Sequence, residues 1–83
     1  MSTKLFVGSL PWSVNDQQLE ETFQNYGKVL SAKVIMDRAT GRSRGFGFVE
    51  MEDSSEATSA INALNNSELK GRTIVVNEAK PRT

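Results

Sequence analysis

The chain has 83 residues, with ten basic and ten acidic side chains that cancel to zero net charge. A chain of this length forms one small domain, and its lack of cysteine excludes a disulfide framework and a cysteine metal site. Histidine, the commonest general base and metal ligand, is also absent. We therefore expect no catalytic activity, no metal site and no cofactor.

The N-terminal part of the chain predicts one strand and one helix. Residues 5–10 are typical of a short strand, in which alternation directs Phe6 to the outward face. The helix is predicted to begin after Asn15, an N-cap residue that Gln18 complements in a capping box, and to end at Gly27. No apolar run at this end is long enough for a signal or membrane segment, so we expect an intracellular protein without a membrane partner.

The middle of the chain predicts a second strand and a polar loop. Residues 29–36 form the strand, with Lys33 and Ile35 on its outward face. Residues 37–43 are polar and basic, and Gly41 is typical of a turn within them.

Residues 44–51 read Arg-Gly-Phe-Gly-Phe-Val-Glu-Met and are the most informative segment of the sequence. In a strand, one face would carry Arg44, Phe46, Phe48 and Glu50, while the other face would be small and apolar and suited to a core. Aromatic rings beside a cation are what unpaired nucleic-acid bases require, since bases stack on rings and phosphates need positive charge.

The C-terminal part of the chain predicts a second helix and a fourth strand. Asp53 is a candidate N-cap with Glu56 at the capping-box position. The apolar residues of the helix recur at helical spacing, as Ala57, Ala60, Ile61 and Leu64. Residues 65–71 are a turn-rich link, residues 72–79 the fourth strand, and residues 80–83 a tail.

The predicted order of elements is β-α-β-β-α-β, which indicates an α+β fold of the ferredoxin-like kind. Four antiparallel strands would form one sheet, and two helices can cover only one of its faces. The other face is left open, and it is predicted to carry Phe6, Phe46 and Phe48. Most basic residues fall on the strands, the loop and the tail, whereas many acids fall on the helices, which predicts a basic face on a neutral protein.

The chain resembles the RNA recognition motif family along residues 4–80. Residues 44–51 match the family's RNP1 pattern at every position but the last, where Met51 replaces an aromatic residue. Residues 5–10 resemble its RNP2 hexamer, with Ser9 at the usual asparagine position, and residues 37–44 resemble its loop between the middle strands. The resemblance implies a single domain over residues 1–83, with a core of about 4–80 and a tail at 81–83.

The resemblance also implies that the chain is a non-catalytic, single-stranded RNA-binding module that acts as a monomer. Phe6 and Phe46 would stack on bases, Phe48 would pack against sugars and bases, and Arg44 would contact phosphate. Further positions that would contact RNA are Lys4, Lys33, Ile35, Arg42, Asn77, Ala79 and Lys80. The similarity extends to short bacterial and organellar RNA-binding proteins and to plant glycine-rich ones. The bacterial likeness favours a cytoplasmic location, while nuclear and organellar locations remain open.

Three other functions are compatible with the same fold. Single-stranded DNA would be tolerated by the same stacking surface, since only contacts to the 2′-hydroxyl separate RNA from DNA. A protein-interaction module is disfavoured because the Arg-x-Phe element of peptide-binding relatives is replaced by Arg72-Thr73-Ile74. A small hydrolase is disfavoured because histidine, cysteine and a phosphate-cradling loop are all missing.

Overall fold

The computed structural model describes residues 2–11, 13–41 and 43–79, with only the backbone of Ser43 and Arg44. This described part of the chain contains eight elements: β1 (Thr3–Gly8), α1 (Asp16–Gln24), β2 (Val29–Met36), β3 (Ser43–Met51), α2 (Ser54–Leu64), β4 (Glu68–Leu69), β5 (Arg72–Thr73) and β6 (Val75–Glu78). Within these residues, no helix is both long and apolar enough to cross a membrane.

The main sheet has four strands in the order β2-β3-β1-β6, and every neighbouring pair is antiparallel. Both helices pack on the same face, where their apolar side chains join those of the strands in one core. Met51 is fully buried in this core, so the departure from the RNP1 pattern leaves the opposite face unchanged. The predicted ferredoxin-like architecture is therefore confirmed, and β4 and β5 add a small hairpin.

The first strand ends two residues earlier than the sequence predicts. Ser9 adopts a positive φ of 58°, a left-handed conformation that terminates β1 before Leu10. The backbone N–H of Leu10 then donates a hydrogen bond to the carbonyl of Gly45 at 2.8 Å. Asparagine tolerates this conformation better than most residues, which gives a physical reason for asparagine at this place in the RNP2 hexamer.

The predicted strand over residues 72–79 is wrong as a single element. The N–H of Ile74 donates to the carbonyl of Ser67, and the carbonyl of Ile74 accepts from the N–H of Asn66, both at 2.9 Å. Ile74 is thus bonded to the turn after α2 rather than to β1, and only the residues from Val75 onward join the main sheet.

The helix caps follow the sequence more closely. Asn15 accepts from the N–H of Gln18 at 2.8 Å, and the Gln18 side chain accepts from the N–H of Asn15 at 3.1 Å, which confirms the capping box. Asp53 caps α2 as predicted. The Glu56 carboxylate, however, accepts from the N–H of Lys28 at 3.4 Å, so it ties α2 to the start of β2 instead of completing a second box.

Each helix segment also supplies a side chain that bonds to an outer strand of the sheet. Oδ1 of Asp16 accepts from the N–H of Val34 on β2 at 2.7 Å. Oδ1 of Asn65, which follows α2, accepts from the N–H of Val76 on β6 at 3.0 Å. Because β2 and β6 are the edges of the sheet, these two edge hydrogen bonds satisfy amides that no neighbouring strand can reach.

The cap at Asp53 predicts a pH-dependent contribution to stability. Hydrogen bonds from the hydroxyl and the backbone N–H of Ser55, at 2.7 and 2.8 Å, lower the pKa of Asp53 from its ordinary value of 3.8. Since the pKa is lower in the folded chain, the cap stabilises it above the unfolded-state pKa and is lost as the pH falls through the folded-state pKa. The stability advantage of the wild type over Asp53→Ala should therefore shrink below about pH 4. Urea unfolding of both proteins checks this, and a pH-independent difference would contradict it.

Candidate nucleic-acid interface

The open face is the side of the main sheet away from the helices, and one row of side chains crosses all four of its strands. Phe48 on β3 pairs with Lys33 on β2 and with Phe6 on β1, and Phe6 in turn pairs with Asn77 on β6. The flanking core residue Val49 is fully buried, whereas the two phenylalanines are half-buried. The common face predicted by alternation is therefore confirmed for these strands.

Three rings on the open face contact one another and are called the aromatic triad here: Phe6, Phe46 and Phe48. The ring centroids of Phe6 and Phe46 are 5.9 Å apart, those of Phe6 and Phe48 5.8 Å, and those of Phe46 and Phe48 6.2 Å. The interplanar angles of 31°, 64° and 87° range from tilted to edge-on, which are favourable arrangements for aromatic pairs. The mutual contacts hold apolar rings at the surface, ready to stack against other flat groups.

Gly8 provides the space in which the Phe6 ring lies. A Cβ added to Gly8 would come within 2.9 Å of Cε2 and 3.2 Å of Cζ of Phe6. Gly8 is itself buried and pairs with Phe46 across β1 and β3. The missing side chain therefore allows the Phe6 ring to lean along its strand towards Phe46.

A bulge in β3 interrupts the alternation that the sequence predicts for residues 44–51. Val34 pairs with Gly47, but Met36 pairs with Ser43, so β3 has extra residues opposite Ile35. Gly45 lies in this bulge with φ of +86°, a conformation that residues with a Cβ rarely adopt. The predicted alternation holds from Phe46 onward but is broken at Gly45.

The charged groups of the open face are of both signs. Lys4 and Lys33 are exposed, and Nζ of Lys4 is 5.0 Å from the ring centroid of Phe48. Glu50 is directly opposite Lys4 in the register, and its Oε2 accepts from the hydroxyl of Ser2 at 2.7 Å. The described part of the face is thus mixed in charge rather than purely basic.

The structure brings most of the predicted site residues together. Six are linked by register or ring contacts across the open face: Lys4, Phe6, Lys33, Phe46, Phe48 and Asn77. Ala79 is adjacent, because its N–H donates to the carbonyl of Lys4 at 2.8 Å, and half-buried Ile35 flanks the bulge.

The remaining predicted site residues, Arg42 and Lys80, lie outside the described residues, as does the Arg44 side chain. Two positions near the site escaped the sequence prediction. Val75 pairs with Gly8 on the open face, and alternation from Asn77 could have identified it. Ser2 contacts Glu50, and no sequence pattern signals that contact.

Comparison with known proteins shows the chain's relatives. The model of the family described as RNA recognition motif matches residues 5–75. The chain is 54% identical over 82 residues to the mitochondrial glycine-rich RNA-binding protein 2 of Arabidopsis thaliana, spanning 99% of this chain and 52% of that protein. It is 52% identical over 81 residues to the chloroplastic 28 kDa ribonucleoprotein of Spinacia oleracea, and the match spans 98% of this chain and 35% of that protein. The chain thus spans about half or less of the length of these curated relatives.

Solved structures support the same relationship. The crystal structure of RNA binding protein PG1 superposes with a TM-score of 0.92 at 49% identity, covering 98% of both chains. The Sxl-lethal protein in its complex with RNA superposes with a TM-score of 0.88 at 38% identity, covering 93% of this chain and 47% of that one. Both likenesses extend over nearly the whole of the chain.

Proposed function

Because the chain belongs to the RNA recognition motif family, we propose that it binds single-stranded RNA on its open face and catalyses no reaction. The aromatic triad carries this proposal, since three adjoining half-buried rings offer a stacking surface that a water-facing sheet otherwise lacks. Stacking contributes about 1–3 kcal/mol per base. Two or three bases give a gross contribution of roughly 2–9 kcal/mol, and the upper part of this range is consistent with about micromolar affinity for one domain.

The proposed contacts follow from the row across the sheet. Phe6 and Phe48 pair directly across β1 and β3, so we assign the stacking of two successive bases to these two rings. Phe46 then packs against the same segment of RNA, and this assignment exchanges the roles that the resemblance implies for Phe46 and Phe48. Lys33 and Asn77 stand at the two ends of the row, where their polar groups can bond to base edges. Ile35 and Ala79 border the surface with apolar contacts. Phosphate contacts are assigned to Lys4, Arg42, Arg44 and Lys80.

A nuclear magnetic resonance titration tests the proposal without any substitution. Adding a single-stranded RNA of about eight nucleotides should shift the backbone amide signals of β1 and β3. The signals of α1 and α2, on the other side of the sheet, should stay nearly unchanged. Duplex RNA serves as the control because its bases are not available for stacking. Shifts confined to the helices, or no shifts, would contradict the proposal.

Single-stranded DNA is the competing ligand, because the aromatic triad can stack with any base. The same titration with DNA of identical sequence gives the ratio of the two affinities. A preference for RNA would indicate contacts to the 2′-hydroxyl, whereas equal affinities would make the protein a general single-strand binder.

Replacing Lys4 by methionine should weaken RNA binding and its dependence on salt. The change keeps an unbranched side chain near Phe48 but removes a charge that we assign to phosphate, so the slope of log affinity against log salt should fall by about one. Fluorescence anisotropy at several salt concentrations measures both quantities. Lys28→Met is the matched control, since Lys28 pairs with Glu52 at 3.3 Å in an exposed ion pair. Equal slopes for Lys4→Met and the wild type would refute the assignment.

The cellular location is the remaining part of the proposal. The names of two relatives place those proteins in mitochondria and chloroplasts, so they lend no support to the cytoplasmic location expected from the sequence. An organellar location, which the sequence leaves open, has the support of these names. Imaging of the full-length protein in its source cells tests it.

A further inference from the structure

Glu50 is an unexpected residue on a surface that binds a polyanion. It lies on β3 two residues after Phe48, and the register places it opposite Lys4 on β1 and Ser31 on β2. Its side chain is half-buried on the face where we propose that RNA binds. Repulsion between a carboxylate and phosphates weakens binding. Glu50 therefore opposes RNA association unless it makes a favourable contact of its own.

The hydrogen bonds of Glu50 leave one oxygen available. Oε2 accepts from the Ser2 hydroxyl at 2.7 Å, whereas Oε1 has no hydrogen-bond partner among the described residues. Lys4, the nearest cation in the register, is directed to the ring of Phe48. A carboxylate accepts about four hydrogen bonds, so Glu50 has unused acceptor capacity beside a stacking ring.

We propose that Glu50 selects guanine as the base that stacks on Phe48, an inference that rests on the proposed RNA binding. Consecutive residues on one face of a strand are about 6.5 Å apart, so a base on Phe48 brings its edge towards the Glu50 carboxylate. Guanine presents two neighbouring donors there, N1–H and the N2 amino group. These match the two oxygens of a carboxylate, which only accepts hydrogen bonds.

The other three bases fit this acceptor less well. Cytosine and adenine have an amino group next to a ring nitrogen that is itself an acceptor, and uracil has one N–H between two carbonyl oxygens. In each case a second carboxylate oxygen would face a lone pair. The hydrogen bond from the Ser2 hydroxyl restrains one oxygen of the carboxylate, and the charge of Lys4 offsets part of the repulsion between Glu50 and the RNA backbone.

The experiment compares wild-type protein with Glu50→Gln by fluorescence anisotropy. The ligands are oligouridines of about eight nucleotides, either unmodified or with one central guanosine, adenosine, cytidine or inosine. The wild type should favour guanosine over uridine by about tenfold or more. Inosine, which lacks the N2 amino group, should give an intermediate affinity.

Glu50→Gln should lose most of the preference for guanosine and should bind oligouridine more tightly, because a repulsive charge is removed. Glu21→Gln on α1 changes the net charge equally on the other side of the sheet and should keep the wild-type preference. Equal wild-type affinities for the guanosine and uridine oligomers, or a preference that survives in Glu50→Gln, would overturn the role of Glu50 alone. If the wild type binds none of the oligomers, the proposed RNA binding itself is overturned.

Discussion

Replacing both Phe6 and Phe48 by alanine is expected to weaken binding of single-stranded RNA by about 30-fold or more. Each ring is proposed to stack with one base, and each such contact contributes about 1–3 kcal/mol. The two rings adjoin across the central strands with centroids 5.8 Å apart, so their removal interrupts the stacking surface at its centre. Anisotropy titrations measure the loss, at a temperature where circular dichroism shows both proteins folded.

Two control proteins separate stacking from general damage to the fold. The double leucine variant of Phe6 and Phe48 keeps apolar contacts on the sheet but has no flat ring, so it should restore stability without restoring affinity. Tyr26→Ala removes a half-buried aromatic ring that packs against the core, and it should reduce stability while leaving affinity unchanged. If the double alanine variant bound RNA with wild-type affinity, RNA would have to contact another surface of the domain.

Replacing Gly47 by alanine should destabilise the domain by about 2–3 kcal/mol, at the upper end of the usual cost of overpacking. An added Cβ would lie 2.5 Å from the carbonyl oxygen of Lys33, 3.1 Å from Cα of Val34 and 3.2 Å from Cδ2 of Leu19. Two of these atoms belong to the backbone of β2, so no side-chain rotation can relieve the clash. The melting temperature should fall by roughly 8–24 °C, which thermal and urea unfolding would detect.

The matched control for this prediction is Gly41→Asn in the loop between β2 and β3. Gly41 has a positive φ of 71°, and a Cβ added there meets no atom within 4 Å. Asparagine tolerates this conformation, so the change should alter stability by less than about 0.5 kcal/mol. A Gly47→Ala protein as stable as Gly41→Asn would mean that β2 and β3 separate more easily than their close approach indicates.

Elements with a strong local pattern were the ones that the sequence could predict. The second strand has the predicted bounds, Val29–Met36, because alternation and flanking turn residues both mark it. α2 follows from apolar residues at helical spacing and from its Asp53 cap. The shared face of Phe46 and Phe48 follows from the two-residue period of a strand, which no distant contact needs to establish.

Features that depend on contacts between distant segments could not be predicted. β1 ends at Gly8 because Ser9 turns so that Leu10 can bond to Gly45 in β3. Ile74 leaves the last strand because it bonds to Ser67 in the preceding turn. In each case the local residues are compatible with a longer strand, and the hydrogen-bond partner that decides the outcome is elsewhere in the chain.

The same limit applied to the candidate site. The sequence placed Glu50 on the open face but gave no sign that Ser2 would hold its carboxylate. The bulge at Gly45 was likewise hidden, because Arg-Gly-Phe alone is compatible with regular alternation. Residue types thus indicated a stacking surface, whereas the arrangement of polar groups around it became visible only in three dimensions.

The two edge hydrogen bonds, in which Asp16 and Asn65 accept from the N–H groups of Val34 and Val76, affect how the domain associates with other copies of itself. An unpaired strand edge is where sheets of separate molecules join and begin to aggregate. Here a side chain already occupies one outward amide on each edge, so an incoming strand would have to displace it. Copies of such a domain could be crowded together, or joined in series within a longer polypeptide, with less risk that their sheets fuse.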